Sequence, residues 1–479
     1  MPESYITSCV QNSYHSVPQQ QLGRQQEPKM AIFFDSWVTE MLALLSTIFA
    51  ILYVTFKINY TYWKKKGLPY LEPSFPLGNG WNTALMRICP GEDTKDVYFE
   101  TEGKDVVGIE TQLIKTIIVK DFNSFPDRGI YVDEETDHLT AHLFFLRGTK
   151  WLSLCQKLTP TFTSGKMRAM FGIVRDCARI LTDVTPAGSV VEVRELIARY
   201  STDVIDSCCA FGIDVDSQHN PEAEFRQWGG RIFKPSIRSF LTQALGFSNP
   251  NLRNLLPIAF TPKDITEYFT RVVDDTIIHR EKTGVIRKDF MQLMIQLKNI
   301  GYVDDSFLIT GQKSVEHKSI SQYLLLLFVF PSRIRLQTLR MYPSVPVLNR
   351  EVVQDYKLPG YDCVLEEGTK VFIPVLGLHH DRKFFRNPEK FDPEHFSEEQ
   401  KASRHPYCYL PFGEGPRLCI GMRFGLMQVK LALVHLLSKF DFLPVGDKQS
   451  KLRMAPNNVV LTPIGGIELR VEHRRMSGR

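Results

Sequence analysis

In the segment PFGEGPRLCIGMRFGLMQVK one cysteine, Cys419, stands among residues that favour tight backbone turns: Phe412, Gly413, Gly415, Pro416 and Gly421. A helical pattern begins directly after it. A cysteine entering a helix N-terminus beside Arg417 and Arg423 favours its thiolate, because the helix end and both guanidinium groups stabilise negative charge. A thiolate there is either a nucleophile or a metal ligand, whereas a buried structural cysteine is the commoner use of a single Cys. A nucleophile needs a histidine partner, and His379 and His435 are the candidates, although neither belongs to a hydrolase motif. The pair His379-His380 also suggests a metal site, but adjacent residues on an extended segment point apart. Cys208-Cys209, in the helical stretch TDVIDSCCAF, reads as core packing.

A chain of 479 residues can bury a large core around such a loop, in one large domain or two coupled ones. Its apolar and charged fractions are those of an ordinary globular protein. A net charge of +5 is mild, and no Lys/Arg tract interleaved with aromatics occurs, which argues against a nucleic-acid partner. Nine cysteines without a CxxC pair argue against a zinc site and a disulfide framework, and place the folded part in a reducing compartment.

Residues 1–29 include the Gln-rich stretch Gln11–Pro28 and read as a disordered extension, or as an upstream start before Met30. Residues 30–58 contain the apolar run Met41–Phe56, extended by Trp37 and Val38, which is read as a signal-anchor transmembrane segment. Lys57 and Lys64-Lys65-Lys66 follow it, and no small-residue cleavage site does, so the bulk of the chain is expected on the cytosolic side. Residues 59–80, with Pro69, Pro73 and Pro76, form a stiff non-helical hinge, and residues 81–479 form the catalytic body. Within that body VVGIE and TIIVK, between Asp105 and Lys120, read as short strands. Thr163–Leu181 reads as a helix with Met167, Met170, Phe171, Val174, Cys177 and Leu181 on one face, and helical patterns continue to Lys298. Strand-like runs follow Arg340, with turns at Pro359-Gly360 and Glu367-Gly368, and VVLTPIGGIELRVE reads as a hairpin around Gly465-Gly466. The expected fold is mainly α with a minor β-rich lobe.

The pattern Phe412-x-x-Gly415-x-Arg417-x-Cys419-x-Gly421 resembles the haem-binding loop of the cytochrome P-450 superfamily. FPDRGIY, LTPTFTSGKM, LNREVVQDYKLPG, FIPVLGLHHD and FDPEHF extend the likeness from about Tyr60 to Arg474, and look most like the insect microsomal detoxifying members. The resemblance implies a membrane-anchored monooxygenase that inserts one oxygen atom into an apolar small molecule. It implies haem b, iron protoporphyrin IX, with Cys419 as axial thiolate. By the same likeness Gly413, Gly415 and Gly421 lie in the cofactor loop, Arg128, Trp151, Arg350 and Arg417 hold the haem propionates, and Tyr131, Phe144, Val347 and Ile464 meet substrate. His379-His380 occurs in the family's GLHHD turn without binding iron. The implied partners are an NADPH-dependent flavoprotein reductase, docking near Arg423 and Lys430, with cytochrome b5 as a second donor, and the lipid of the endoplasmic reticulum membrane.

Four departures from the family pattern stand out. The Glu-x-x-Arg of its K helix reads Gln337-Thr338-Leu339-Arg340, and the arginine that the pair locks onto reads His395 in FDPEHF. Loss of a carboxylate from such a buried cluster typically costs about 3–5 kcal/mol and leaves Arg340 short of compensation. The family's Trp-x-x-x-Arg reads Trp151-Leu152-Ser153-Leu154-Cys155, which removes one propionate donor. Lastly, the apolar run Tyr323–Phe330 meets Pro331 and passes through PSRIRL straight to Gln337. In the family that run continues into a long distal helix with a Gly, an acid and a Thr that relays protons. Near 330–337 this chain lacks it, so an impaired or inactive deletion product that still binds haem is the alternative reading.

Overall fold

The computed structural model describes residues 37–68, 70–75, 78–101, 111–132, 134–213, 215–232, 259, 261–303, 332–446 and 452–475. The chain divides between Thr61 and Tyr62 into an N-terminal unit and a main body. In the first, helix α1 (Trp37–Tyr60) has no buried residue and a mean hydropathy of 2.0 in its most apolar window, long and apolar enough to cross a membrane. The expected extension at 1–29, Pro69, Pro76, VVGIE and the run Tyr323–Phe330 lie outside the described residues, as do the side chains of Cys208 and Cys209. The expected non-helical hinge at 59–80 is corrected at its start, where residues 59–60 belong to α1 and Tyr62–Lys65 form a helical turn of the body; the described part of 67–79 contains no helix.

In the body the principal helices are α2 (Pro90–Glu100), α3 (Gly148–Leu158), α4 (Ser164–Val184), α5 (Val193–Val204), α6 (Glu224–Ile232), α7 (Lys263–Thr283), α8 (Phe290–Ile300), α9 (Ser332–Met341), α10 (Val375–His379) and α11 (Met422–Lys439). Helix α4 buries Met167, Met170, Val174, Cys177 and Leu181, the face expected from their three- and four-residue spacing, while Phe171 is only partly buried. That face packs with Leu196, Tyr200 and Val204 of α5 and Leu431, Ala432 and Leu436 of α11 into one core. Helix α8 is capped at its start by the Asp289 side chain, which accepts from Gln292 N at 2.9 Å, and closed by Gly301 at φ +79°.

A second core forms around two strands, β2 (Leu348–Glu351) and β5 (Lys370–Ile373), paired antiparallel, with Ile114, Ile117, Ile118 and Leu410 packed on them. TIIVK contributes to it as a π-helical turn, Thr116–Lys120, rather than as the expected strand. Its β-branched residues suit either state. The i, i+3, i+4 spacing of Ile114, Ile117 and Ile118 matches one buried helical face, and that burial decides the conformation. Strands β3 (Tyr356–Lys357) and β4 (Val364–Leu365) pair across the Pro359-Gly360 turn as expected. The Gly465-Gly466 turn is present, with φ +81° and +76°, but its two arms do not pair with each other. The second arm, β7 (Glu468–His473), lies instead between β1 (Val190–Glu192) and β6 (Phe440–Pro444).

Helix α9 carries the altered charge cluster. Arg340 is 0% exposed, yet every nitrogen of its guanidinium has an acceptor. Nε donates to Gln337 Oε1 at 3.1 Å, Nη1 to the His379 carbonyl at 2.7 Å and Nη2 to the Pro388 carbonyl at 2.6 Å. The expected shortfall is therefore one of charge and not of hydrogen bonds: all of these acceptors are neutral, and burial lowers the guanidinium to about 10. His395 meets the same cluster, with Nδ1 3.3 Å from Gln337 Oε1 and Nε2 2.7 Å from the Arg386 carbonyl. Behind them His379 and His380 are buried and neutral. Burial lowers His379 to about 3 and His380 to about 4.

Two outcomes follow from this cluster. Gln337→Glu alone sets a carboxylate oxygen against the Lys390 carbonyl that Gln337 Nε2 now bonds at 3.1 Å, and His395→Arg alone adds a cation beside Arg340. Together they supply charge and counter-charge, so the double variant should exceed the sum of the singles by ~0.5–3 kcal/mol in denaturant unfolding; strict additivity counts against the contact. The second outcome concerns pH. Both histidines have folded values depressed below the ordinary ~6.5, so their contribution is whole above that value and is lost as pH falls toward 4 and 3. His380→Gln should flatten the fall in stability between pH 6.5 and 5 by up to about 1.4 kcal/mol per pH unit, measured by urea unfolding against the parent chain.

Candidate functional site

The cysteine loop is wedged between the two cores. It leaves the second core at Leu410 and enters the first at Phe424 in α11. Its turns are held by backbone bonds: Gly413 N donates to Leu410 O at 3.1 Å, Leu418 N to Gly415 O at 2.9 Å, and Cys419 N to Phe412 O at 3.0 Å. Gly413 and Gly415 both sit at φ +74°, where a side chain is strained. A Cβ on Gly415 would also lie 2.1 Å from the Ile118 carbonyl oxygen, so this glycine lets the loop seat directly on the π-helical turn. A Cβ on Gly421 would meet nothing within 4 Å, so packing of the described chain does not require glycine there. Cys419 itself is exposed, and among the described residues no histidine is hydrogen-bonded to it.

Arg417 points inward from this loop. Its Nε donates to the Pro126 carbonyl at 2.8 Å, Nη2 to the Leu146 carbonyl at 3.0 Å and to Asp127 Oδ1 at 3.3 Å, and Nη1 to the Leu143 carbonyl at 3.4 Å. Its flat face covers the buried Trp151 ring at 3.9 Å. Asp127 also accepts from Gly148 N at 2.9 Å and pairs with Arg147 at 3.3 Å; Arg147 reaches on to Glu351 at 2.7 Å, which Lys370 meets at 3.1 Å. None of Asp127, Glu351 and Ile118 was singled out from the sequence. Asp127 adjoins Arg128 in FPDRGIY, and an acid beside candidate anion-binding arginines is the signal that could have marked it.

Two further guanidinium groups converge on this place with fewer partners. Arg350, on β2, is 1% exposed; Nη1 donates to the Asn349 carbonyl at 2.8 Å and, among the described residues, Nε has no partner. Arg128 lies over the Phe144 ring at 4.0 Å and donates from Nη2 to the Arg417 carbonyl at 3.4 Å, and its buried Nε has no partner either. Burial lowers Arg350 to about 9, helped by Arg128 and Arg417 nearby, and lowers Arg128 to about 10 against the opposing field of Cys419. Two adjacent cations with buried, unfilled donor positions, one of them within the field of Cys419, suit a ligand that carries carboxylates at one edge. The residues present therefore fit a haem. Cys155, where the family pattern has arginine, offers no such donor; its Sγ lies 3.9 Å from Thr159 Oγ1.

The expected substrate residues are only partly brought together. Phe144 carries Arg128 and packs edge-on against Phe145 at 5.1 Å. Tyr131 lines a neighbouring cleft of about 350 Å³ with Phe145, Leu146, Arg147 and Lys150. Val347 is half-buried just before β2, and Ile464 is exposed; their segments meet where Leu461 N donates to Ser344 O at 3.4 Å. His379 and His380 take no part in a metal cluster: among the described residues, no group of three or more His, Cys, Asp or Glu side chains is placed to hold an ion.

Similarity to known proteins extends over most of the chain. The cytochrome P-450 family profile matches residues 97–317 and 337–471. Cytochrome P-450 6k1 of the cockroach Blattella germanica is 37% identical over 507 positions, covering 90% of this chain and 96% of its own length. Cytochrome P-450 6a2 of Drosophila melanogaster is 35% identical, covering 90% and 99%, and cytochrome P-450 6A1 of Musca domestica is 32% identical, covering 92% and 98%. Ninety per cent of 479 residues cannot fill 507 aligned positions, so the cockroach relative carries several tens of residues with no counterpart here. The gap in the profile match, between 317 and 337, falls at the junction where the sequence departs from the family. With the cysteine loop seated between its two cores and the match spanning nearly the whole body, the chain belongs to the cytochrome P-450 family of monooxygenases, alongside its insect members.

Proposed function

We propose that the chain is a haem-thiolate monooxygenase of the insect microsomal type, built to oxidise apolar small molecules, in which Cys419 is the axial ligand. The observation that carries this reading is that Arg128, which lies within the field of Cys419, and Arg350 beside it each keep a buried Nε with no partner among the described residues. Those nitrogens would hold the propionates, Arg417 would fasten Trp151 and the segment 126–146 around them, and Phe412, Gly413 and Gly415 would set the height of the thiolate. When bound, haem supplies the iron at which dioxygen takes two electrons and two protons and is split, one oxygen atom passing to substrate and the other leaving as water. Tyr131, Phe144, Val347 and Ile464 would supply the apolar contacts to substrate. NADPH-derived electrons would arrive through a flavoprotein reductase, with cytochrome b5 as a second donor, on the face bearing Arg423 and Lys430. Helix α1 would anchor the chain in the endoplasmic reticulum membrane, with the lysines at 57 and 64–66 on the cytosolic side.

A second reading is favoured by the interruption of the family match between 317 and 337: the chain binds haem but turns over poorly. The missing stretch is where the family places the distal helix and its proton-relaying pair. A positioned acid-base group typically contributes roughly 10²–10⁴-fold to rate, and loss of a whole helix also opens the apolar cavity to water.

Two experiments separate these statements. Ferrous protein with carbon monoxide should show the red-shifted Soret band of thiolate ligation, and Cys419→Ala should abolish it; an unchanged band in that variant removes Cys419 from the iron. Supplied with haem, reductase and NADPH, the chain should form product at a small fraction of NADPH consumed, with hydrogen peroxide accounting for most of the electrons. Product formed at stoichiometric coupling would refute the impaired reading and leave the monooxygenase assignment standing.

A further inference from the structure

His379 is left over from the site just described, yet it is the most completely committed histidine near it. It closes α10, is 0% exposed, and uses both ring nitrogens. Leu410 N must donate, and does so to His379 Nε2 at 2.9 Å, so Nε2 carries the lone pair. The proton is then on Nδ1, which donates to the Arg340 carbonyl at 3.0 Å. Arg340 returns the contact through Nη1 to the His379 carbonyl at 2.7 Å, so α9 and α10 are latched in both directions. The ring also stacks on Tyr409 at 5.1 Å and 25°, and the Tyr409 hydroxyl donates to the Leu336 carbonyl of α9 at 3.0 Å.

Residues 409 and 410 thus take their position from α9, and they lead directly into the cysteine loop. Leu410 O accepts from Gly413 N, and Phe412 O accepts from Cys419 N, so an unbroken series of short contacts runs from the end of α9 through the imidazole to Cys419. We infer that His379 is a positioning residue for Cys419, its neutral imidazole fixing the extended segment Tyr409–Leu410 that enters the loop and hence the position of the Cys419 sulfur. Its low proton affinity suits the role, since an imidazolium would lose the acceptor that Leu410 N requires. In this chain α9 starts within the interval where the family match is broken, so the latch joins the cysteine loop to the element next to the shortfall.

The inference rests on Cys419 as the axial ligand for its spectroscopic consequence but not for its structural one, and the test reads both. The full chain carrying haem is compared with His379→Phe, which keeps a flat ring beside Tyr409 but neither hydrogen bond, and with His379→Gln, whose amide can donate and accept. Ferrous carbonyl spectra and amide hydrogen exchange over residues 408–421 are recorded at a temperature where far-UV circular dichroism shows each protein folded. His379→Phe should move most of the carbonyl absorbance from the red-shifted band to the shorter-wavelength band of a displaced thiolate. The Leu410 and Cys419 amides should exchange at least tenfold faster, and His379→Gln should recover both properties. A folded His379→Phe with parental spectrum and parental exchange overturns the proposal. Should that variant not fold, His379→Gln decides: parental protection and band support the latch, whereas a deprotected Leu410 with an undisturbed band overturns it. Absence of a red-shifted band even in the parent chain would refute Cys419 as ligand, and Cys419 amide protection would still decide the role of His379.

Discussion

The inward turn of Arg417 is the interaction on which the site depends. A guanidinium buried this deeply is unfavourable unless its donors are occupied, and here the Pro126, Leu143 and Leu146 carbonyls and Asp127 occupy them. Satisfying Arg417 therefore fixes the segment 126–146 and, through the ring at 3.9 Å, Trp151 of α3. The cysteine two residues later inherits that position. Asp127 then passes the constraint to Arg147 and Glu351, so strand β2 and its Arg350 are placed by the same set of charges.

Arg340 shows the same residue type solved differently. Arg417 has a carboxylate beside it, whereas the groups that hydrogen-bond Arg340 are all neutral oxygens, one of them from Gln337. Replacing a carboxylate by an amide keeps the acceptor at Nε but discards the charge, and His395 cannot make up the difference because it is itself a base held low by burial. Geometry thus survives where electrostatic balance does not. The weakness of this cluster lies in its charge alone; the contacts of α9 with the loop, through His379 and Tyr409, are intact.

The family match is uneven along this chain. The cysteine loop keeps Gly413 and Gly415 at φ +74°, and Arg128 and Arg350 nearby keep unfilled donors among the described residues. The family match breaks between 317 and 337, and a relative carries several tens of residues with no counterpart in this chain. Binding a cofactor and using it are separable for this reason: ligation needs one well-placed sulfur, whereas proton delivery needs a positioned relay in a dry cavity.

Local spacing made part of this legible. The ten residues from Phe412 to Gly421 carry their own backbone requirements, so the cysteine loop could be read directly, as could the α4 face, whose period is set within a few turns. TIIVK misled because a short β-branched run suits strand and helix alike, and the choice falls to burial against Leu348 and Ile373 from a distant segment. The Gly465-Gly466 turn was readable as a turn, but the partners of β7 were not, since Val190 pairs with Arg470 from the far side of the chain. Arg417 and Asp127 stand 290 positions apart, and nothing in either neighbourhood says that they meet. Sequence by itself determined the turn-bound cysteine loop and where the family pattern is interrupted. Tertiary structure decided which arginines are occupied and which keep a free donor, because that depends on carbonyls and carboxylates delivered by remote segments when the two cores close around the loop.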